Sequence, residues 1–329
     1  MKLAVIGCTG LVGTVILKVI SECKLPISEL ILVASSKSIG KEIKFESNSL
    51  EIESIEMALS KNPEVAIFCA GGEISKKWAP IFSKNGITVI DNSSAWRMDH
   101  QVPLVVPEIN GSSIKKSNKI IANPNCSTIQ MVLALKEIHK RFIIDRIVVS
   151  TYQSVTGTGA AAVKQMMDER NEIESDKVYP HPIDKNCFPH GGDFLPNGYT
   201  TEEIKLVDET RKIFNSPEIK VTATVVRIPV IGGHSMAVNV NTKTPFKIEE
   251  IYDAFEATPG VIVKNDNLNF DYPMPLTAHE RNEVFVGRIR EDNTIENGLN
   301  MWIVADNLRK GAATNAVQIA EYLINNKLV

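Results

Sequence analysis

Apolar and polar positions follow two different rhythms along this chain. Over the first third, short apolar runs alternate with stretches of helical spacing. Lys2–Ile6 reads as a buried strand, and Gly7-Cys8-Thr9-Gly10-Leu11-Val12-Gly13 leads from it into a helix reaching about Cys23. The pattern continues with a strand at Leu30–Ala34, a helix near Ile55–Ser60, a strand at Val65–Ala70, a helix near Ser75–Lys84 and a strand at Ile87–Asp91. Regular strand–helix alternation requires right-handed crossovers and a parallel sheet. From about Ile147 the strands lengthen and alternate. Val221, Ala223 and Val225 fall on one face, and Met236, Val238 and Val240 on another. Glu283–Arg290 and Leu299–Ala305 also read as strands, which suits a mixed or antiparallel sheet with one covered face. Ala312–Leu328 returns to an amphipathic helix. The predicted class is α/β: a Rossmann-type, doubly wound parallel sheet followed by an α+β domain.

Composition narrows the field of partners. The 329 residues are 43% hydrophobic and 23% charged with a formal net charge of −3, as in an ordinary globular protein of about two domains. No Lys/Arg block is present, so nucleic acid and anionic membranes are poor partners. Met1-Lys2 runs straight into Leu3-Ala4-Val5-Ile6, too short for a signal peptide, and no transmembrane-length run follows. The five cysteines are scattered without a Cys-x-x-Cys pair, which predicts a reducing, cytoplasmic setting and no zinc cluster. Cys187, with His181 and His190 near it, has the wrong spacing for zinc and reads as a loop.

Candidate chemistry begins at Asn123-Pro124-Asn125-Cys126-Ser127-Thr128, which precedes the helically spaced Ile129, Val132, Leu133, Ile138 and Phe142. A helix N-terminus favours a thiolate through its unpaired N–H groups and partial positive charge. Either Asn125 or Ser127 can cap this helix. A small buried cysteine is the competing reading. Gly7, Gly10 and Gly13 lie between the first strand and the first helix, where a dinucleotide loop belongs. At the end of the second strand, Ser35-Ser36-Lys37-Ser38 stands where an NAD enzyme usually carries an acid; hydroxyls and a cation suit a 2′-phosphate, though a polar loop is equally compatible. Arg97 follows the fourth strand, Gln153 follows the strand Arg146–Tyr152, and Arg227 precedes His234 in Gly232-Gly233-His234-Ser235. An Arg within an apolar strand calls for an anionic partner, and a histidine there suits acid–base work. Each of these residues alone has an ordinary structural reading.

Taken together, Asn123–Thr128, Asp91–Arg97, Tyr152-Gln153, Arg227-Ile228-Pro229-Val230 with Gly233-His234-Ser235, and Asp306–Asn315 resemble the aspartate-semialdehyde dehydrogenase family along the full length. The resemblance implies an NADP-binding domain over 1–125 and 306–329, around a catalytic and dimerisation domain over 126–305. It implies a homodimer, a small-molecule substrate with inorganic phosphate, and no metal. Cys126 would be the nucleophile, Gln153 would orient the adduct, and His234 would take the hydroxyl proton as hydride leaves. Arg227 would hold the substrate α-carboxylate. Arg97, helped by Lys205 and Asn125, would hold phosphate, and Glu202 would face the ammonium group, with Glu203 or a helical salt bridge as alternatives. The cofactor contacts implied are Gly7, Thr9, Gly10, Leu11, Val12, Gly13, Ser35, Ser36, Lys37, Ser38, Gly71, Gly157 and Asn307.

Small departures from the family pattern exist. Cys8 stands where Ala is usual, Lys37 where Arg is typical, and Met236 where bacterial relatives often carry Glu. The nearest alternative is N-acetyl-γ-glutamyl-phosphate reductase. A short-chain acyl-CoA reductase and a non-catalytic NADP-binding paralogue or redox sensor are further alternatives. A glyceraldehyde-phosphate-type dehydrogenase does not match the Cys and His motifs.

Overall fold

The computed structural model describes residues 1–174 and 176–329. The chain divides into two compact units, Met1–Pro124 with Ala312–Val329, and Asn125–Gly311.

The first unit starts with β1 (Lys2–Ile6), α1 (Leu11–Cys23), β2 (Glu29–Val33), β3 (Glu42–Phe45), β4 (Asn48–Glu53) and α2 (Ile55–Ser60). It continues with β5 (Val65–Phe68), α3 (Gly72–Lys84), β6 (Thr88–Asp91), the short α4 (Pro107–Asn110) and β7 (Ile120–Ala122). The strands form one sheet in the order β3-β4-β2-β1-β5-β6-β7. Every neighbouring pair is parallel except the β3–β4 hairpin at one edge. The apolar run of β1 is continuous because both of its faces are covered. Leu3 and Val5 pack with Ile16 and Ile20 of α1, whereas Ala4 and Ile6 pack with Phe68 and Phe82.

The turn between β1 and α1 depends on two glycines. Gly7 has φ +98°, and a Cβ there would lie 2.9 Å from the Ala70 nitrogen. A Cβ on Gly13 would lie 2.2 Å from the Gly7 carbonyl oxygen, so α1 can approach the turn only without a side chain. Gly13→Ala is therefore expected to destabilise the first unit by about 3 kcal/mol, read as a lower urea midpoint together with lost nucleotide binding.

The second unit comprises α5 (Cys126–Phe142), β8 (Ile144–Gln153), α6 (Ala160–Arg170), α7 (Thr201–Phe214), β9 (Lys220–Arg227) and β10 (His234–Thr242). Then follow α8 (Ile248–Glu256), β11 (Val261–Val263), α9 (Pro275–Ala278), β12 (Val284–Asp292) and β13 (Gly298–Ala305). Its sheet runs β11-β12-β13-β10-β8-β9 and is mixed: the outermost pairs are parallel and the interior pairs antiparallel. One face carries the core. Val149, Val225, Met236 and Val238 meet Leu133 and Ile138 of α5, Leu206 of α7, and Ile251 and Phe255 of α8.

After β13 the chain makes a π-helical turn, Arg309–Ala313, and enters α10 (Thr314–Asn325). Ala316, Val317, Ala320 and Leu323 of α10 join the α1 side of the first core. Asn125 and Asp306–Gly311, which the resemblance assigns to the nucleotide domain, group with the second unit. The Asn125 N–H is held by Glu209, and Asp306 bonds the Leu308 and Arg309 N–H groups and His279. Among the described residues no helix is long and apolar enough to cross a membrane.

Candidate active site

Strand register gathers the chemistry of the second unit at one end of its sheet. β8 and β9 are parallel, so Gln153 pairs with Arg227 where both strands end. β10 runs antiparallel to β8, with Ser235 opposite Tyr152, so its first residue, His234, comes to the same edge. Gln153 is buried, and its side-chain amide donates to Ser127 Oγ at 3.1 Å, tying the end of β8 to the first turn of α5.

Cys126 is the first residue of α5 and is half-buried. Asn125 is the cap: its Oδ1 accepts from the Ser127 N–H at 3.0 Å and the Thr128 N–H at 3.3 Å. A buried carboxylate, Glu209, accepts the Asn125 backbone N–H at 2.6 Å. The Asn125 amide donates to Glu202 at 2.6 Å, and the other Glu202 oxygen meets Lys205 Nζ at 2.8 Å. The helical Glu202–Lys205 pair is thus formed, and it reaches the cap of the Cys126 helix. Glu203 is otherwise engaged. It closes a capping box with Thr200 and accepts the Val225 N–H at 3.0 Å.

Gly311 presses on the thiol-bearing residue, for an added Cβ would lie 3.0 Å from Cys126 Cβ and 3.3 Å from its Cα. Gly311→Ala is expected to lower kcat between about 10- and 100-fold, because small misplacements of a reacting group cost that much. An unchanged kcat in a steady-state assay would mean that the site tolerates the shift.

Ser154 joins His234 to Arg227. Its backbone N–H donates to His234 Nδ1 at 3.0 Å, and its carbonyl accepts from Arg227 Nη1 at 2.7 Å. Its hydroxyl bonds the Val230 carbonyl at 2.9 Å and Thr156 Oγ1 at 2.7 Å. Thr156 in turn donates to Asn307 at 3.0 Å. His234 Nε2 and Arg227 Nε are buried without a hydrogen-bond partner. A Cβ on Gly157 would lie 3.0 Å from Nε2 and 3.2 Å from Arg227 Nη1. Burial, reinforced by the Arg227 cation and opposed by Glu202, pushes His234 down from 6.5 to about 3. The unfolded chain therefore takes up this proton first, and stability is expected to fall as pH drops below 6.5. Urea midpoints in wild type and His234→Gln check this, the variant having the flatter acid limb.

The first unit holds the nucleotide features. A cavity of about 560 Å³ lies at the carboxyl ends of β1, β2 and β5, lined by Gly7, Thr9, Gly10, Ser35, Ser36 and Cys69 among others. Open α/β sheets bind ligands in this position, and the N-terminus of α1 beside it suits a pyrophosphate. Leu11, Val12, Gly13, Lys37, Ser38 and Gly71 are not part of the lining, and Gly157 and Asn307 lie in the second unit. Glu56, Ile74 and Trp78 do line it and were not anticipated. Cys8 is fully buried in the core and absent from the lining. Burial pushes Cys8 up to about 11 and Cys69 up to about 12, leaving both protonated. Arg97, also in this unit, donates from Nε and Nη2 to the carbonyls of Asn123 and Asn92, both at 2.9 Å.

A nucleotide cavity at the sheet switch point and a separate unit presenting a helix-start cysteine match the two-domain semialdehyde dehydrogenases. Residues 2–117 match the family described as "Semialdehyde dehydrogenase, NAD binding domain", and residues 135–310 match "Semialdehyde dehydrogenase, dimerisation domain". An Aquifex aeolicus protein named aspartate-semialdehyde dehydrogenase is 50% identical over 337 residues, covering 100% of this chain and 99% of its own. The structure of aspartate semialdehyde dehydrogenase II from Vibrio cholerae, complexed with ASA, superposes with a TM-score of 0.94 at 44% identity over 98% of both chains. The Candida albicans structure with NADP shares the fold, with a TM-score of 0.76 at 23% identity. The chain belongs to the aspartate-semialdehyde dehydrogenase family, nicotinamide-dependent oxidoreductases that act on an aldehyde.

Proposed function

We propose that the chain carries out NADPH-dependent reductive dephosphorylation of 4-phospho-L-aspartate to L-aspartate 4-semialdehyde through a thioester on Cys126. This is the step that feeds lysine, diaminopimelate, methionine and threonine synthesis, here in a cytoplasmic homodimer. One observation carries the reading: strand register brings Gln153, Arg227 and His234 to one edge, and Ser127 ties that edge to the Cys126 turn. Cys126, favoured as thiolate at the start of α5, attacks the acyl carbon and phosphate leaves. Gln153 orients the adduct, and His234 exchanges the proton of its reacting oxygen. Arg227, its Nη1 held by the Ser154 carbonyl and its Nε buried without a protein partner, suits the α-carboxylate as a planar fork of Nε and Nη2. Glu202 faces the ammonium group, with Asn125 and Lys205 arranging it. Arg97 and Lys205 supply charge for the phosphate. Gly7, Thr9, Gly10, Ser35 and Ser36 would hold the dinucleotide, and Lys37 beside them suits a 2′-phosphate. The nicotinamide supplies the hydride when bound. The test is intact-protein mass spectrometry after mixing with L-aspartate 4-semialdehyde and NADP without phosphate. A mass gain of one aspartyl acyl group, located on the Cys126 peptide and removed by phosphate, is expected. No adduct with this aldehyde, but one with the N-acetylated longer analogue, would transfer the chain to the acetylated substrate.

A further inference from the structure

α5 lacks half of its own cap. A complete capping box has two parts: the cap side chain accepts an N–H near the third helical position, and an acid at that position accepts the N–H of the cap residue. α7 meets both from its own sequence, with Thr200 and Glu203. In α5 the Asn125 side chain does the first part for Ser127 and Thr128. The third helical position is Thr128, whose Oγ1 is buried and has no hydrogen-bond partner among the described residues. The missing acceptor comes from α7, where buried Glu209 accepts the Asn125 N–H at 2.6 Å. Glu202, about two turns earlier on the same face of α7, takes the Asn125 side-chain amide at 2.6 Å. The Asn125 carbonyl accepts the Ile129 N–H at 2.9 Å. Every polar group of the residue before Cys126 is therefore engaged.

We infer that Glu209 is a positioning residue for Cys126: by completing the α5 cap from α7, its carboxylate fixes the Asn125–Cys126 peptide from which the thiol projects. The inference rests on the proposed thioester chemistry. Glu202 cannot be the fixed point, because it holds a side chain and is shared with Lys205 and, in that chemistry, with the substrate ammonium group. Glu209 holds backbone. Its 2.6 Å contact lies one residue from the nucleophile, and turning that peptide moves the Cys126 Cα and the N–H groups of the first turn together. Those N–H groups favour the thiolate, so both the place and the reactivity of the sulfur follow from this bond. A displacement of about 1 Å in a reacting group costs up to about 10²-fold in rate. An anchor that served folding alone would make the same bond, and it differs in what its loss does to the thiol of the folded enzyme.

Two conservative variants of the full-length protein separate these roles. Glu209→Gln keeps an oxygen acceptor at the same reach and drops the charge, whereas Glu209→Asp keeps the charge and draws the acceptor back by a methylene. Melting and nucleotide titration establish that each is folded. Glu209→Asp is expected to lower kcat about 10- to 100-fold with little change in the KM for the aldehyde. Iodoacetamide labelling of Cys126, followed on its peptide by mass spectrometry, should slow in the same variant. Glu209→Gln should exceed Glu209→Asp at least about tenfold in kcat and label faster. A Gln variant no better than the Asp variant, whether both match wild type or both are impaired, would overturn the inference. So would a raised KM at unchanged kcat in Glu209→Asp. Should Glu209→Asp fail to fold, Glu209→Ala takes its place with the same expectation. Labelling needs no substrate. A wild type inactive on the aspartyl aldehyde would count against the proposed function, while the labelling rates would still decide the part of Glu209.

Discussion

Cys126→Ser is expected to lower turnover at least about 10³-fold while leaving the fold and nicotinamide nucleotide binding intact. The substitution is nearly isosteric, and the cap of α5 belongs to Asn125 rather than to Cys126, so the helix keeps its first turn. An alcohol at that position ionises far less than a thiol and attacks an acyl phosphate poorly. The nucleotide cavity is built in the first unit from other residues and is untouched. Turnover near wild type, with tight nucleotide binding, would remove Cys126 as nucleophile. Unchanged melting and nucleotide titration establish that a loss is chemical and not structural.

Arg227→Lys is expected to raise the KM for the aldehyde about 10- to 100-fold, with a smaller fall in kcat. Arg227 is a buried cation in the last position of β9; Nη1 already serves the Ser154 carbonyl, and Nε is buried without a protein partner. A ligand carboxylate placed there gains a second donor that a lysine ammonium cannot present in the same plane. Losing one charge-assisted hydrogen bond costs about 1.5–3 kcal/mol, which sets the expected range. The fall in kcat follows from Ser154, whose carbonyl loses its guanidinium partner while its N–H still holds His234. A raised KM for phosphate with an unchanged KM for the aldehyde would exchange the assignments of Arg97 and Arg227.

Central strands and long helices were legible because their burial is continuous or strongly periodic. Lys2–Ile6 and Val65–Phe68 are covered on both faces and appear as unbroken apolar runs. The β3–β4 hairpin was not visible: it sits at the sheet edge, half exposed, so Glu42–Phe45 carries too little apolar signal to separate it from a loop. β7 and β11 are three residues long, and neighbouring strands rather than their own sequence define them. The candidate site shows the same division. Cys126 could be placed because a helix start follows from local sequence. Choosing between Glu202 and Glu203 needed three dimensions, since one reaches Asn125 and the other spends both oxygens on backbone N–H groups. Ser154 and Gly311 escaped notice because backbone atoms and a missing side chain do their work. The only local hint at Gly311 is the run of small residues, Gly311-Ala312-Ala313, just after two buried cations.

The most direct test of the account is NADPH formation by purified protein given L-aspartate 4-semialdehyde and NADP, with phosphate present or omitted. The expected result is sustained turnover only with phosphate, and without it a single burst of NADPH equal to the Cys126 content. Sustained turnover without phosphate would contradict phosphorolysis of a thioester, and tight NADP binding with no NADPH at all would contradict the aldehyde chemistry itself.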